Sequence, residues 1–141
     1  MRIVLDINVL VSNLISKSGV PGQLLTLWRD RHYILIVSVE QIERMEDVLG
    51  RPRLEPFVNS QEAEELIAEL LNAAVVVDPD RSIDLLSDTE DNIILGTAIA
   101  GQADPLVSGD KKHLLPLGVV EGIPILSPRE AIEKILPGSS A

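Results

Sequence analysis

Three aspartates stand where an apolar run gives way to a loop or a helix: Asp6 after Ile3-Val4-Leu5, Asp91 just before the run Ile93 to Ala100, and Asp110 after Pro105-Leu106-Val107. Asn8 follows the first and Ser108 precedes the third, each at a distance of two residues. In an open parallel sheet the carboxyl ends of the strands form the ligand crevice, so carboxylates carried there from separate segments converge. Like charges gathered in one crevice are unfavourable unless they protonate or a cation neutralises them. A hard divalent ion such as Mg2+ or Mn2+ takes oxygen ligands, often from only one or two protein carboxylates, and leaves positions for water and substrate phosphates. Such an ion can activate water and steady charge on a phosphate, so phosphodiester hydrolysis is the expected chemistry. Each aspartate alone has a plainer role as a cap or turn former. The three together favour the metal site.

The elements that must carry these residues alternate strand and helix, the pattern of a parallel sheet covered on both faces. Strands are expected at Arg2 to Leu5, Tyr33 to Val37, Val75 to Val77, Asp104 to Ser108 and Ile123 to Leu126. Apolar residues at helical spacing place helices over Val9 to Ile15, Pro21 to Arg31, Val39 to Leu49, Gln61 to Asn72, Glu90 to Ala100 and Pro128 to Leu136. Ser38, Ser60 and Ser127 are the expected N-caps, and Gly101 the expected stop of the fifth helix. Asp91 then falls in a first helical turn, where the amide dipoles favour an anion.

A chain of 141 residues that is 45% hydrophobic is most simply one domain, here 1–136, with Pro137 to Ala141 as a fraying tail. No cysteine is present, which removes disulfides, thiolate-held zinc and iron–sulfur clusters and fits a cytoplasmic protein. The apolar start Met1 to Leu5 is broken by Asp6 and Asn8 before it reads as a signal peptide, and no run approaches the roughly 20 apolar residues of a membrane span. A formal charge of −10, from 22 acidic and 12 basic residues, excludes coating nucleic acid by charge alone. It leaves a nuclease possible, because a bound cation supplies attraction locally. One Trp, one Tyr and one Phe leave little for base-stacking platforms.

At these residues the chain resembles the PIN-domain family of small metal-dependent ribonucleases, which includes the toxins of toxin–antitoxin modules. The resemblance runs over nearly the whole chain: Leu5-Asp6-Ile7-Asn8-Val9-Leu10-Val11-Ser12, Val37-Ser38, Val48-Leu49-Gly50-Arg51-Pro52, Asp91-Asn92 and Leu106-Val107-Ser108-Gly109-Asp110-Lys111. The Arg-Pro and Ser-Gly-Asp-Lys elements look most like the toxin-component branch. The resemblance implies a three-layer α/β/α fold with about five strands in order 3-2-1-4-5. It implies metal-binding acids at Asp6, Asp91 and Asp110, with Asn8, Ser12, Asn92 and Ser108 as supporting polar groups. It further implies Mg2+ or Mn2+ as cofactor, single-stranded or structured RNA as substrate, products with a 5′-phosphate and a 3′-hydroxyl, an antitoxin partner and a homodimer.

Two positions depart from the family's pattern. Ile7 stands where a threonine is usual, and Arg44 stands where the family carries a fourth acid. Exchanging a carboxylate for a guanidinium changes local charge by two units. On a helical wheel Arg44 has Glu40 one turn back and Asp47 three residues ahead, and Glu40 to Arg44 is the favourable (i, i+4) order, so a rim ion pair is the first expectation. The sharper readings make Arg44 a phosphate clamp, or let Glu40 or Glu43 serve as a substitute acid, although Glu43 points about 100° away from Arg44. Lys111 and Lys112, like Arg51 and Arg53, are candidates for phosphate contacts, with a solvated surface as the alternative. His32 and His113 have no evident partner in sequence, and Trp28 reads as core or subunit contact.

Two rival functions follow from these residues. Arg44 motivates an inactive binding or assembly module on the same fold. A third reading, aspartate-based phosphoryl transfer on a receiver-like or dehalogenase-like domain, uses the aspartate after the first strand. Asn8 stands where the dehalogenase pattern needs a second aspartate, and the paired acids of receivers are missing.

Overall fold

The computed structural model describes residues 1–137; of the expected tail only Pro137 falls within them. Among these residues the strands are β1 (Arg2–Leu5), β2 (Ile34–Ser38), β3 (Val75–Val77), β4 (Leu106–Val107), β5 (Val119–Val120) and β6 (Ile123–Leu126). The helices are α1 (Ile7–Ile15), α2 (Val20–Arg29), α3 (Val39–Leu49), α4 (Ser60–Ala73), α5 (Thr89–Ala100) and α6 (Pro128–Ile135). The sheet order is β3-β2-β1-β4-β6-β5, parallel throughout except for the β5–β6 pair. Ile123–Leu126 therefore occupies the fifth place expected for it, and one further edge strand lies outside it. Whereas the equally short β4 lies in the run Pro105-Leu106-Val107, that strand has only Val119-Val120 between Gly118 and Glu121 to mark it. Glu121 and Gly122 join it to β6 with φ of 51° and 79°, the left-handed backbone of a tight two-residue hairpin.

Side chains of a strand alternate between the two faces of a sheet, and along the central strands both faces are dry, which explains their continuous apolar runs; Val75 and Val76 of the edge strand β3 stay exposed. Ile3 and Leu5, with Leu35, Val37 and Val107, pack against α1, α2, α3, α4 and α6, and Trp28 lies buried in that layer. Val4, Ile36, Leu106 and Ile125 pack instead against Ile94, Leu95 and Ala98 of α5. Each such buried side chain is worth about 1.5–3 kcal/mol. This burial fixes the depth of the sheet between its helices, and with it the position of every strand end.

Caps then fix the helix starts. Ser38 and Gln41 form a capping box at α3, and Ser127 and Glu130 form another at α6. Asn59, not the expected Ser60, caps α4, its side chain accepting from the Glu62 backbone N–H at 3.1 Å. Asp88 caps α5 by accepting from the Glu90 N–H at 2.8 Å. α1 begins at Ile7, two residues earlier than expected, because Asp6 itself is its N-cap. Gly96 in α5 is required by close packing: a Cβ there would lie 2.2 Å from the Asp80 carbonyl oxygen.

From β1 the chain winds outward through β2 and β3, then returns across the sheet to β4 on the opposite side of β1. The direction of winding reverses between β1 and β4. A crevice opens beyond the carboxyl ends of strands at such a point.

Candidate metal centre

Asp6 leaves β1 straight into this crevice and is 3% exposed. One carboxylate oxygen accepts from the Asn8 backbone N–H at a long 3.5 Å; the other accepts from the Ser108 hydroxyl at 2.7 Å. Ser108, fully buried at the end of β4, accepts in turn from the Asp110 backbone N–H at 3.0 Å. Asp110 uses Oδ1 to accept from the backbone N–H groups of Lys112 (3.0 Å) and His113 (3.1 Å). Its Oδ2 lies 3.4 Å from His113 Nδ1. A hydrogen-bonded relay from Asp6 through Ser108 and Asp110 to His113 therefore ties the ends of two neighbouring strands together. Asp91 arrives from the first turn of α5 on the other layer.

A cleft of about 630 Å³ receives Asp6, Asp91 and Asp110 together, along with Asn8, Arg44 and His113. Their proximity is expressed in their proton affinities. Burial pushes the Asp6 carboxyl above the ordinary aspartate range, the Ser108 hydroxyl and the Asn8 amide pull it back, and the charge of Asp110 raises it again. Burial also raises Asp91, aided by the charges of Asp88, Asp110 and Asp6. Asp110 behaves oppositely: burial opposes its ionisation, but the His113 and Lys112 N–H groups outweigh that and hold its carboxyl below the usual value.

One ligand atom each from Asp91, Asp110 and His113 lies within 4.8 Å of the others. Two donors placed trans on an ion with bonds of about 2.1 Å are separated by roughly 4.2 Å, so this spacing suits a small divalent cation. Asp6 shares the cleft without joining that trio; it stands two hydrogen bonds from Asp110, through Ser108. A carboxylate pair, an imidazole and a third carboxylate whose proton affinity is raised mainly by burial form a donor set that a divalent cation fits.

The remaining residues fall into distinct places. Asn8 is exposed and lines the cleft, whereas Ser12, one turn further along α1, and Lys111 do not. Asn92 is buried behind the site, where its amide oxygen accepts from the Leu85 and Leu86 N–H groups and its amide nitrogen donates to the Leu86 carbonyl. It pins the loop leading into α5 and so sets where Asp91 emerges. Glu40 and Glu43 line the cleft, but the expected Glu40–Arg44 pair is absent: Glu40 is engaged by Arg81. Arg44 reaches across to Glu90 of α5 at 2.8 Å and to Asp47 at 3.2 Å. The longer-range partner sits where helix-wheel geometry cannot see it.

Two contributors were not singled out from sequence. Gln41 is buried, closes the α3 capping box and donates through Nε2 to the Leu5 carbonyl at 3.1 Å, which fixes α3 against the residue before Asp6. The Ser38-x-x-Gln41 spacing was its only local signal. His113, set aside for want of a partner, is brought beside Asp110 by the turn between them, an (i, i+3) spacing that could have been noticed.

Comparison with known proteins bears on the family. An uncharacterized protein of Methanocaldococcus jannaschii, MJ1680, is 23% identical over 112 residues, covering 79% of this chain and 72% of its own length. A PIN-domain family model matches residues 2–112, which takes in β1, the parallel sheet through β4, and all three aspartates. With a mostly parallel α/β/α fold and that match over most of its length, the chain belongs to the PIN-domain family, a nuclease-type fold.

Proposed function

We propose that the protein is an endoribonuclease dependent on Mg2+ or Mn2+ that hydrolyses RNA phosphodiester bonds, and that it is the toxin of a toxin–antitoxin module. The observation that carries the enzymatic reading is the convergence of Asp6, Asp91 and Asp110, from three separate segments, on one cleft at the switch point of the sheet. A bound divalent cation supplies Lewis-acid polarisation of the phosphate and acidification of water. Asp91 and Asp110 would hold the cation, and Asp6 would add negative potential while its bond to Ser108 keeps Asp110 in register. The opposite wall carries Arg44, Arg51 and Arg53, whose guanidinium groups suit phosphate oxygens. Those arginines give an acidic chain a local handle on a polyanion. Contacts of this kind read backbone rather than base, in keeping with the scarcity of aromatic residues.

Cleavage of a labelled single-stranded RNA with Mg2+ or Mn2+, with and without EDTA, and with Asp6→Asn tests the activity. The expected products carry a 5′-phosphate and a 3′-hydroxyl; cleavage without metal, or an unimpaired variant, overturns the mechanism. The toxin role and an antitoxin protein partner are supported by the resemblance at Arg51-Pro52 and Ser108 to Lys111, a homodimer by the family resemblance as a whole, and a cytoplasmic location by the lack of cysteine. No helix among the described residues is long and apolar enough to cross a membrane. Growth arrest on expression, relieved by Asp110→Asn, is the expected sign of a toxin.

A second reading, an inactive PIN-fold binding or assembly module, is favoured by Arg44, which brings a positive charge to the cleft and is held by Glu90 and Asp47. Calorimetry with Mn2+ and an activity assay of Arg44→Glu separate the two. No metal binding, or activity gained only on that substitution, selects the module.

A further inference from the structure

We infer that His113 is a nitrogen ligand to the cation in this cleft, and that it gives the site a preference for Mn2+ over Mg2+. The inference rests on the metal-dependent reading above and narrows it to one ion. His113 lies one residue beyond the family match, so the comparison assigns it nothing.

The argument begins with the turn that follows β4. Asp110 Oδ1 is consumed by the Lys112 and His113 N–H groups, while Oδ2 is left on the side of the imidazole. The Leu115 N–H donates to the Asp110 carbonyl at 2.9 Å, and Leu114 is completely buried, so the segment after the turn is anchored to the core. His113 is thus carried on a fixed backbone between two anchors, although its ring is 61% exposed. Its ring lines the same cleft as the aspartates, and it completes the trio with Asp91 and Asp110 within 4.8 Å. An imidazole is a neutral nitrogen donor of borderline softness. Mg2+ strongly prefers oxygen and parts reluctantly with its waters, whereas Mn2+, although the weakest binder of the Irving–Williams series, is a transition-metal ion that exchanges a water for an imidazole more readily than Mg2+ does. Two aspartates and one histidine therefore discriminate between ions that an all-carboxylate site would hold alike.

The plain alternative is an exposed (i, i+3) contact between His113 and Asp110 with no part in metal binding. The full chain loaded with Mn2+ distinguishes them by pulsed electron paramagnetic resonance, which detects coupling to a directly bound nitrogen-14. Calorimetric titrations with Mn2+ and with Mg2+, repeated on His113→Ala, provide the second readout. The expected result is a nitrogen coupling in the wild type that His113→Ala abolishes. With it, Mn2+ affinity should fall about tenfold or more while Mg2+ affinity changes by less than about twofold, since even outer-shell partners of a metal site carry roughly 10–100-fold. Tight Mn2+ binding without nitrogen coupling, or equal weakening of both ions, overturns the inference and leaves the nuclease reading standing. Absence of binding by either ion to the wild type overturns both.

Discussion

The wall of the cleft made by the ends of β1 and β4 carries Asp6 and Asp110, whereas α3 and the turn after it mix Glu40, Glu43 and Asp47 with Arg44, Arg51 and Arg53, and the two walls are held in different ways. On the strand wall, Asp6 and Ser108 are buried and hydrogen-bonded to each other and to the backbone around Asp110. On the helix wall, Arg44, Arg51 and Glu40 are partly exposed and held by ion pairs at the rim. Buried polar groups gain from low dielectric and lose heavily when a partner is removed, whereas exposed pairs are screened and contribute little. The carboxylates are thus positioned by the core of the fold, while the arginines are held only by rim pairs with Glu90 and Asp47.

The largest effect should come from breaking the strand wall at its ligand. Asp110→Asn removes a charge from the trio and should lower the rate of metal-dependent RNA cleavage by on the order of 10³-fold, corresponding to several kcal/mol of lost metal-centred stabilisation. Circular dichroism should show the fold retained. Residual activity within about tenfold of the wild type would exclude Asp110 as a ligand.

Ser108→Ala comes next. It deprives Asp6 of its shortest hydrogen bond and leaves the Asp110 N–H without its acceptor, so denaturant unfolding should show a loss of about 1–3 kcal/mol. A loss no greater than that of a rim substitution would erase the distinction between the walls.

The buried carboxylate also predicts a pH dependence. Asp6 binds its proton more tightly in the folded protein than its ordinary value of 3.8 implies, mainly because it is buried. A raised folded value contributes stability that is complete below the unfolded value and disappears as pH rises through the folded one. In EDTA, Asp6→Asn should therefore melt higher than the wild type near neutrality. The gap should close as pH falls through the raised Asp6 titration toward 3.8. Asp91 acts in the same direction in the wild type, and Asp110, with its lowered value, in the opposite one. A gap that stays constant with pH, or widens in acid, would contradict the burial argument.

The smallest effect on stability belongs to the helix wall. Arg44→Gln should cost no more than about 1 kcal/mol in unfolding. Its signature lies instead in RNA binding, where the slope of log affinity against log salt should become shallower by about 0.7, the share of one phosphate contact on a single strand. An unchanged slope would confine Arg44 to its pairs with Glu90 and Asp47.

Much of this was legible in the chain because local chemistry carries it. Apolar runs marked the strands of the parallel sheet, three- and four-residue spacing marked the helices, and Ser38 and Ser127 announced two helix starts. The three aspartates were visible because Asp6 and Asp110 follow apolar strand runs and Asp91 falls in the first turn of a helical one. Where two caps of similar quality stood side by side, at Asn59 and Ser60, local preference alone could not choose.

What the chain by itself determined is therefore the set of elements and the positions at which carboxylates leave them, since both depend on neighbours a few residues away. Only the folded arrangement decided which side chains meet: Arg81 claims Glu40, Arg44 crosses to Glu90, Asn92 turns from the cleft to hold Leu85 and Leu86, and His113 comes to stand with Asp91. Most of these partners come from different elements, brought together when the sheet buries its two apolar faces. No periodicity in the sequence records that distance, because burial of Ile3, Leu5, Leu106 and their neighbours sets it for the whole molecule at once.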